Sequence, residues 1–373
     1  MSTICLIGPT YPYRGGISHY NTLLAQELAK QGHQVECLNF TRMYPSLLFP
    51  GKTQLDESEE HIGVPSERVL DSVNPLSWRR TGLAAANASP DLAVYHWWHP
   101  FFAPSYRGVA AWLRRHRRST RQVFVCHNVL PHESSPVDRG LARFAYAAPD
   151  AFVVHSTMEE KKLEALAPSK PIRVHPHPSY DVFAGRLLGR ERAREELKLD
   201  GDVILFFGYV RPYKGLRYAI EALAEVRRRR PVTLVVAGEF YEPRSEYEAL
   251  IDRLGLRDAV RVVDEYIPNE DVGAYFEAAD LVVQPYVTAT QSGISQIAFA
   301  FGKPVVATAV GGLPDIIEEG ETGFLVPPED STAIAAAIER FFDADMAAPM
   351  RDAILGSRER FSWSSLARCV TNA

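Results

Sequence analysis

Cysteine is scarce in this chain and poorly placed for covalent work. The four that occur, Cys5, Cys37, Cys126 and Cys369, are scattered, and no two have the spacing of a zinc-ligand pair. Neither a disulfide framework nor a zinc centre organises such a sequence, and a reducing, cytoplasmic setting is expected. Long apolar runs are missing as well. No stretch approaches the ~20 residues of a membrane span. The first residues read as a strand running into Gly8-Pro9, not as a signal peptide. A net charge of −5 gives no reason to expect nucleic acid as the main partner. Internal repeats and low-complexity segments are absent. So is the dinucleotide fingerprint G-x-G-x-x-G, because the loop GPTYPYRGG after the first strand is too long and carries Pro and Arg where that turn needs close packing. A nicotinamide enzyme is therefore disfavoured.

What remains is an ordinary globular composition, 46% apolar and 23% charged over 373 residues, a length that suggests two domains. The most informative stretch runs from Asp280 to Gly323. A short apolar strand, Leu281–Val283, leads into a polar loop. A helix follows with Ile294, Ile297, Ala298 and Phe301 on one face, ended by Gly302 and Pro304. Val305–Ala307 is a second strand, and Gly311, Gly312 and Pro314 shape the loop before another short helix. Ligands of open α/β sheets bind at the carboxyl ends of the strands, and a helix N-terminus after small residues suits an anion. Residues 288–293 are thus a candidate phosphate cradle, or else a plain αβ connection.

The N-terminal half begins with a strand over Ile4–Ile7, a helix over Ile17–Lys30 and a strand over Val35–Leu38, with Gly15-Gly16 before the helix. Residues 41–75 show no clear periodicity. Tyr44, Leu47, Leu48 and Phe49 make that stretch either a binding loop or a loop tucked onto its domain. DLAVYHWWHPFFAP is a strand followed by Trp97, Trp98, His99, Phe101 and Phe102, which fit either an acceptor pocket or core packing. Arg114, Arg115, Arg117, Arg118 and Arg121, beside Trp112, form a basic amphipathic segment suited to an anionic membrane or to a solvated helix face. The strand Gln122–Cys126 ends at His127-Asn128, well placed to act on a ligand, with His132 and Glu133 in the following loop. Ala151–His155 is a further strand, and Ser156 and Glu159 form a capping box for a helix over 157–166.

Two prolines in HPHPSYDVF break the pattern and mark the domain boundary. A second α/β unit starts at Val203–Phe207. Arg211 and Lys214 follow in the loop GYVRPYKG, two cations suited to a diphosphate. Strands over Val232–Ala237 and Val260–Val263 come next, then a helix capped by Asn269, and later a helix over 331–342 capped by Asp330. The segment 346–360 is helical in pattern, and FSWSSLARCV reads as a final helix.

These residues carry a resemblance. KG at 214–215, VVAGE at 235–239, AADLVVQPY at 278–286, GKPVVAT at 302–308, GGLPDII at 311–317 and EEGETGFLVPPED at 318–330 resemble the donor domain of family 4 retaining glycosyltransferases. GPTYPYRGG and His127 extend the likeness over the first half. The resemblance implies an α/β GT-B fold of two Rossmann-like domains facing a cleft. It implies an acceptor domain over 1–185, a donor domain over 186–355, and a helix over 356–373 returning to the first domain.

It also implies transfer of a sugar from a nucleoside-diphosphate-sugar to an acceptor hydroxyl, with retention, in polysaccharide or glycoconjugate synthesis. The enzyme would sit in the cytoplasm or peripherally on the membrane. His127, Arg211 and Lys214 would be catalytic. Gly15, Gly16, Gly208, Glu239, Tyr266, Ile267, Thr290, Gln291, Ser292 and Gly293 would bind the donor. No Asp-x-Asp metal motif is identified, no resident cofactor is implied, and domain closure would assemble the site. Two departures stand out. Ala289 and Ile297 occupy the places of the family's two glutamates, and Tyr209 occupies that of its arginine, with Arg211 two residues on. The missing carboxylates leave two rivals: a non-catalytic sugar-nucleotide-binding scaffold, or a nucleotide-sugar epimerase of the same fold.

Overall fold

The computed structural model describes residues 1–45, 53–131, 134–167, 169–184, 187–290 and 292–373. It contains two compact units. One comprises Met1–Glu57, His61–Pro176 and Ser362–Ala373, and the other Ser58–Glu60 and His177–Phe361. Apart from the short excursion at Ser58–Glu60, the chain passes between them at 176/177 and 361/362, where linker composition alone points to 185/186 and 355/356.

The first unit holds strands β1 (Thr3–Ile7), β2 (Gln34–Arg42), β3 (Glu67–Asp71), β4 (Leu92–Trp97), β5 (Arg121–Cys126), β6 (Ala151–Val154) and β7 (Ile172–Val174). Its first five helices are α1 (Gly16–Lys30), α2 (Pro75–Asn87), α3 (Ala103–His116), α4 (Pro136–Tyr146) and α5 (Thr157–Glu164). All pairings are parallel, in the order β3-β2-β1-β4-β5-β6-β7. The order reverses between β1 and β4, which places a switch point, and with it a crevice, at their carboxyl ends. Side chains alternate between two apolar layers. Cys5 and Ile7 join Phe40, Trp97, Phe102, Tyr106 and Phe124 on one face, while Ile4 and Leu6 meet Tyr20, Leu24 and Leu28 of α1 on the other.

The second unit holds α6 (Arg190–Leu197), β8 (Asp202–Phe207), α7 (Leu216–Val226), β9 (Val232–Ala237), α8 (Arg244–Arg253), β10 (Val260–Val263), α9 (Asn269–Ala278), β11 (Leu281–Gln284), α10 (Gly293–Ala300), β12 (Val305–Thr308), β13 (Gly323–Val326), α11 (Ser331–Asp343) and α12 (Ala347–Gly356). Its sheet is again all parallel, ordered β10-β9-β8-β11-β12-β13, with the reversal between β8 and β11. The last helix, α13 (Trp363–Thr371), belongs to the first unit. It buries Leu366, Ala367 and Val370 in the same layer as α1, and Trp363 lies edge-on to Tyr20 at 5.2 Å.

Some local readings need correction. The stretch 41–75 is not one irregular loop, because β2 continues to Arg42 and β3 follows it. Register shifts at Asn39/Phe40 and Phe40/Arg42 break the two-residue alternation there, which hides the pairing from the sequence. Leu47, Leu48 and Phe49 lie outside the described residues. Asn269 is the first residue of α9 rather than its cap. Pro268 takes the cap position, and the Asn269 amide donates to Glu60 O at 3.3 Å. The expected short helix after Gly312 is a single 3₁₀ turn, Leu313–Asp315. Asp330 does cap α11, accepting from Ala333 N at 2.8 Å.

Because Leu366 is wholly buried between α13 and the sheet, Leu366→Ala is expected to cost about 2–5 kcal/mol. The urea midpoint of the first unit's unfolding transition should fall accordingly. An unchanged midpoint would mean that α13 adds nothing to that core.

Candidate active site

In the first unit, histidines collect at the carboxyl ends of the strands next to the switch point. His96 lies in β4, and His127 and His155 directly follow β5 and β6. All three pack around the ring of Tyr20 from α1, at centroid distances of 5.6, 4.6 and 5.3 Å. His96 and His127 are stacked, and His96 Nδ1 lies 3.1 Å from His127 Nε2. His155 Nδ1 donates to His175 O at 2.9 Å. Burial alone drives the His96 pKa down to about 3, so its ring is neutral at physiological pH. His19, next to Tyr20, is lowered to about 4 by burial, which Asp56 partly offsets. Gly15, at φ 101, is the N-cap of α1, and Gly16 is its first, exposed residue.

The aromatic segment after β4 divides in two. Trp97 and Phe102 are fully buried core residues; Trp97 meets Tyr146 at 5.1 Å and Phe102 meets Phe40 at 5.6 Å. Trp98 and Phe101 are half-buried against Tyr44, with Trp98 Nε1 donating to the Tyr44 hydroxyl at 2.9 Å. His99 spends its Nδ1 accepting from Phe101 N at 3.1 Å. His132 and Glu133 lie outside the described residues.

The second unit brings together the loops after β8, β9, β10 and β11. Glycines allow the approach. Gly215 has φ +63, and a Cβ there would lie 2.0 Å from Pro285 O. A Cβ on Gly238, at φ +148, would lie 2.2 Å from Gly208 O. Gly208, at φ +94, leaves room for Lys214, whose Nζ would be 3.3 Å from a Cβ at that position. Lys214 also lies over the Tyr286 ring at 5.3 Å, and Arg211 over the Tyr241 ring at 4.4 Å. Among the described residues neither cation has a carboxylate within ion-pair distance. The Lys214 pKa is lowered, chiefly by burial, with Arg211 acting in the same sense and Tyr213 opposing.

Tyr209 packs against Tyr241 at 4.9 Å and Tyr266 at 6.4 Å. A row of tyrosines therefore spans three strand ends. It was not singled out from sequence, because the three residues are far apart in the chain. Glu239 and Ile267 are buried beside this row, at the ends of β9 and β10.

The 288–293 loop is held from below. Gln284, buried at the end of β11, donates through Nε2 to Ser292 Oγ at 3.1 Å and accepts from Ser295 Oγ at 2.7 Å. The Tyr286 hydroxyl is 3.4 Å from Ser292 Oγ, and Thr308 Oγ1 donates to Tyr286 O at 2.6 Å. Ser292 is thus turned inward. Its hydroxyl makes no capping bond to α10, although the residue is the N-cap. Thr290 is buried, and its carbonyl accepts from Gly312 N at 2.9 Å. Gly293 opens α10, and a Cβ there would meet Tyr180 Cε2 at 3.2 Å. Gln291 lies outside the described residues. Ala289 and Ile297 are both buried.

Two Asp-x-Asp sequences do occur, contrary to the sequence reading, at Asp200–Asp202 and Asp343–Asp345. Arg230 joins them, pairing with Asp202 at 2.8 Å and with Asp343 at 3.2 Å. Asp202 begins β8, so this pair is at the end of the strand away from the cation loop. Among the described residues no cluster of three or more His, Cys, Asp or Glu is arranged to hold a metal.

The basic segment is also rearranged. Arg114 is committed to both Asp150 carboxylate oxygens, at 2.8 and 2.7 Å, and Arg117 donates to Ala86 O at 3.0 Å. Arg114 still lines, together with Arg115, Arg118 and Arg107, a groove of about 590 Å³ floored by alanines. Phe144, 51% exposed, stands under the Arg107 guanidinium at 5.5 Å. No described helix is long and apolar enough to cross a membrane.

Comparison with known proteins is consistent across methods. A model described as Glycosyltransferase Family 4 matches residues 14–179, and one described as Glycosyl transferases group 1 matches residues 201–344. A D-inositol 3-phosphate glycosyltransferase of a Nocardioides species is 30% identical, covering 95% of this chain and 83% of the relative. Its counterpart in Corynebacterium aurimucosum is 32% identical, over 60% of this chain. That alignment and the one to the Acidothermus cellulolyticus protein span only 56% and 51% of the relatives' lengths. Among solved structures, Anabaena HepE in complex with UDP superposes with a TM-score of 0.76 at 21% identity, covering 100% of this chain and 99% of that one. Sucrose-phosphate synthase from Thermosynechococcus elongatus reaches 0.73 at 22%, covering 100% and 98%.

The Gln284 bridge carries its own expectation. Gln284→Ala leaves two buried serine hydroxyls without that partner, for a loss of about 1–3 kcal/mol. Amide hydrogen exchange over 292–296 should accelerate more than exchange in α11. Equal protection in both proteins would mean that the bridge does not hold the loop.

Proposed function

This chain belongs to glycosyltransferase family 4, with the GT-B fold, and we propose that it transfers a sugar from a nucleoside-diphosphate-sugar to an acceptor hydroxyl with retention at the anomeric carbon. The observation that carries the reading is the pair Arg211 and Lys214: two cations at a strand end, lying over aromatic rings, with no carboxylate among the described residues within ion-pair distance. A partly desolvated ammonium without a counter-ion is costly, and the leaving diphosphate is a counter-ion whose charge grows as the glycosidic bond breaks. Its phosphates rest against Lys214, Arg211, the Gly208 backbone, Thr290, Ser292 and Gly293, the first residue of α10. The tyrosine row, with Tyr266, Ile267 and Glu239, receives the nucleoside. In the first unit, Gly15 and Gly16 let a phosphate or sugar approach the backbone, and His127 contacts the transferring sugar or orients the acceptor.

No metal is called on, because the cations supply the charge, and no resident cofactor is needed. The acceptor is a carbohydrate or lipid-linked saccharide hydroxyl in polysaccharide or glycoconjugate synthesis. The inositol phosphate named for the relatives fits the same chemistry. Work takes place in the cytoplasm, with peripheral attachment to anionic membrane through Arg107, Arg115 and Arg118 around the alanine-floored groove, and Phe144 beside it.

A thermal-shift screen with UDP, GDP, ADP and dTDP, with and without magnesium, tests the donor reading. A nucleotide at 100 times its Kd is expected to add about 2.7 kcal/mol, or roughly 2–4 °C for a unit of this size, without needing the metal. Lys214→Ala should remove that shift, leave the unliganded melt intact and cut transfer by a factor of about 100 or more. If no nucleotide shifts the melt, the buried Ala289 and Ile297 favour the non-catalytic scaffold instead. Membrane attachment predicts sedimentation with phosphatidylserine vesicles at low salt, weakened by Arg115→Glu with Arg118→Glu. Absence of sedimentation at low salt would exclude it.

A further inference from the structure

The stacked imidazoles of His96 and His127 share one hydrogen bond, and a single proton lies in it. Either His127 Nε2 donates to His96 Nδ1, or His96 Nδ1 donates to His127 Nε2. In the first arrangement a neutral His96 must carry its own proton on Nε2. That atom is buried and has no hydrogen-bond partner. Its surroundings are close-packed. A Cβ on Gly8 would meet His96 Cβ at 3.1 Å and Cδ2 at 3.2 Å, with Asn21 Nδ2 at 3.3 Å. Asn21 donates through Nδ2 to Pro9 O at 3.0 Å, and its Oδ1 has no partner either, so no Nε2–H···Oδ1 bond forms. A buried N–H without an acceptor loses a full hydrogen bond, whereas a bare lone pair is the milder deficit.

We propose that His96 is a positioning residue that sets the tautomer of His127. His96 Nδ1 donates to His127 Nε2, and the proton of His127 is thereby held on Nδ1, making it a hydrogen-bond donor to a substrate oxygen rather than a base. Burial keeps His96 itself neutral, so it does not compete as a cation. The neighbouring ring is fixed in the same sense. His155 donates from Nδ1 to His175 O, which leaves its Nε2 as an acceptor. The two histidines after β5 and β6 thus carry their protons on the same ring nitrogen, each by a hydrogen bond the fold imposes. The substrate part of this inference rests on reading His127 as a ligand contact; the tautomer does not.

Two-bond proton–nitrogen correlation spectra of the full chain labelled with ¹⁵N-histidine report it directly, with His127 assigned by the loss of its peaks in His127→Gln. Nδ1 of His127 is expected at a pyrrole-type shift and Nε2 at a pyridine-type shift. The reverse pattern overturns the proposal. Replacing His96 separates positioning from packing. His96→Asn keeps an N–H donor where Nδ1 stands, and His96→Phe removes it. The Asn variant should keep the His127 tautomer and most of kcat, while the Phe variant loses the tautomer and about 10-fold in kcat, with nucleotide-induced melting shifts unchanged in both. Equal losses in the two variants would also overturn it. If the wild-type chain transfers no sugar, the function proposed above fails, while the spectra still decide the tautomer.

Discussion

A parallel strand returns to its neighbour only by crossing over, so every strand in a parallel sheet delivers its outgoing loop to the same end. Most of what distinguishes this protein follows from that constraint. In the first unit it gathers His96, His127 and His155 around one tyrosine, although they lie on three successive strands. In the second it stacks Tyr209, Tyr241 and Tyr266 and sets Arg211 and Lys214 beside Tyr241 and Tyr286. Neither group could be assembled by an antiparallel hairpin, whose loops alternate ends. The opposite end of the second sheet carries ion pairs such as Arg230 with Asp202 and Asp343, and these satisfy one another.

The two units solve the problem of buried polarity differently. Around α10 the second unit pairs most of its polar groups with one another, the buried amide of Gln296 being the exception. Gln284, Ser292, Ser295, Tyr286 and Thr308 form a connected network under the loop, and such a network stabilises only when its members are paired. The two cations nearby, Arg211 and Lys214, are donors only, which is the chemistry behind the proposed diphosphate site. In the first unit the polar groups are imidazoles, and burial opposes charging of His96 and His19. Donation and acceptance there depend on which nitrogen carries the proton, a choice made by the neighbour behind each ring.

Much of the fold was legible from sequence, because parallel strands buried on both faces read as short apolar runs between Gly- and Pro-rich loops. Val203–Phe207, Val232–Ala237 and Leu281–Val283 are such runs. The misses have definite causes. β3 was hidden by register shifts against β2, and its run ERVLD is half polar because it is an edge strand. Asn269 was read as a cap because Asn usually is one, yet its side chain is drawn to the carbonyl of Glu60, more than two hundred residues earlier. The arginine run 114–121 reads as one face, but Arg114 is tied to Asp150 even as it lines the groove, and Arg117 is held by the Ala86 carbonyl, partners with no sequence signal.

By itself the sequence determined the fold class, the family and the places of the loops between the elements, since these are written in local periodicity, glycine placement and contiguous motifs. Only the tertiary structure decided which side chains in those loops face outward. Ser292 belongs to the loop motif but is held inward by Gln284, and Tyr209 departs from the motif yet joins a row of rings at the strand ends. The His96–His127 bond likewise joins adjacent strands 31 residues apart in the chain. Periodicity places a residue on a face, but hydrogen-bond partners from distant strands fix its rotamer and its proton, and those partners are known only once the sheet is assembled.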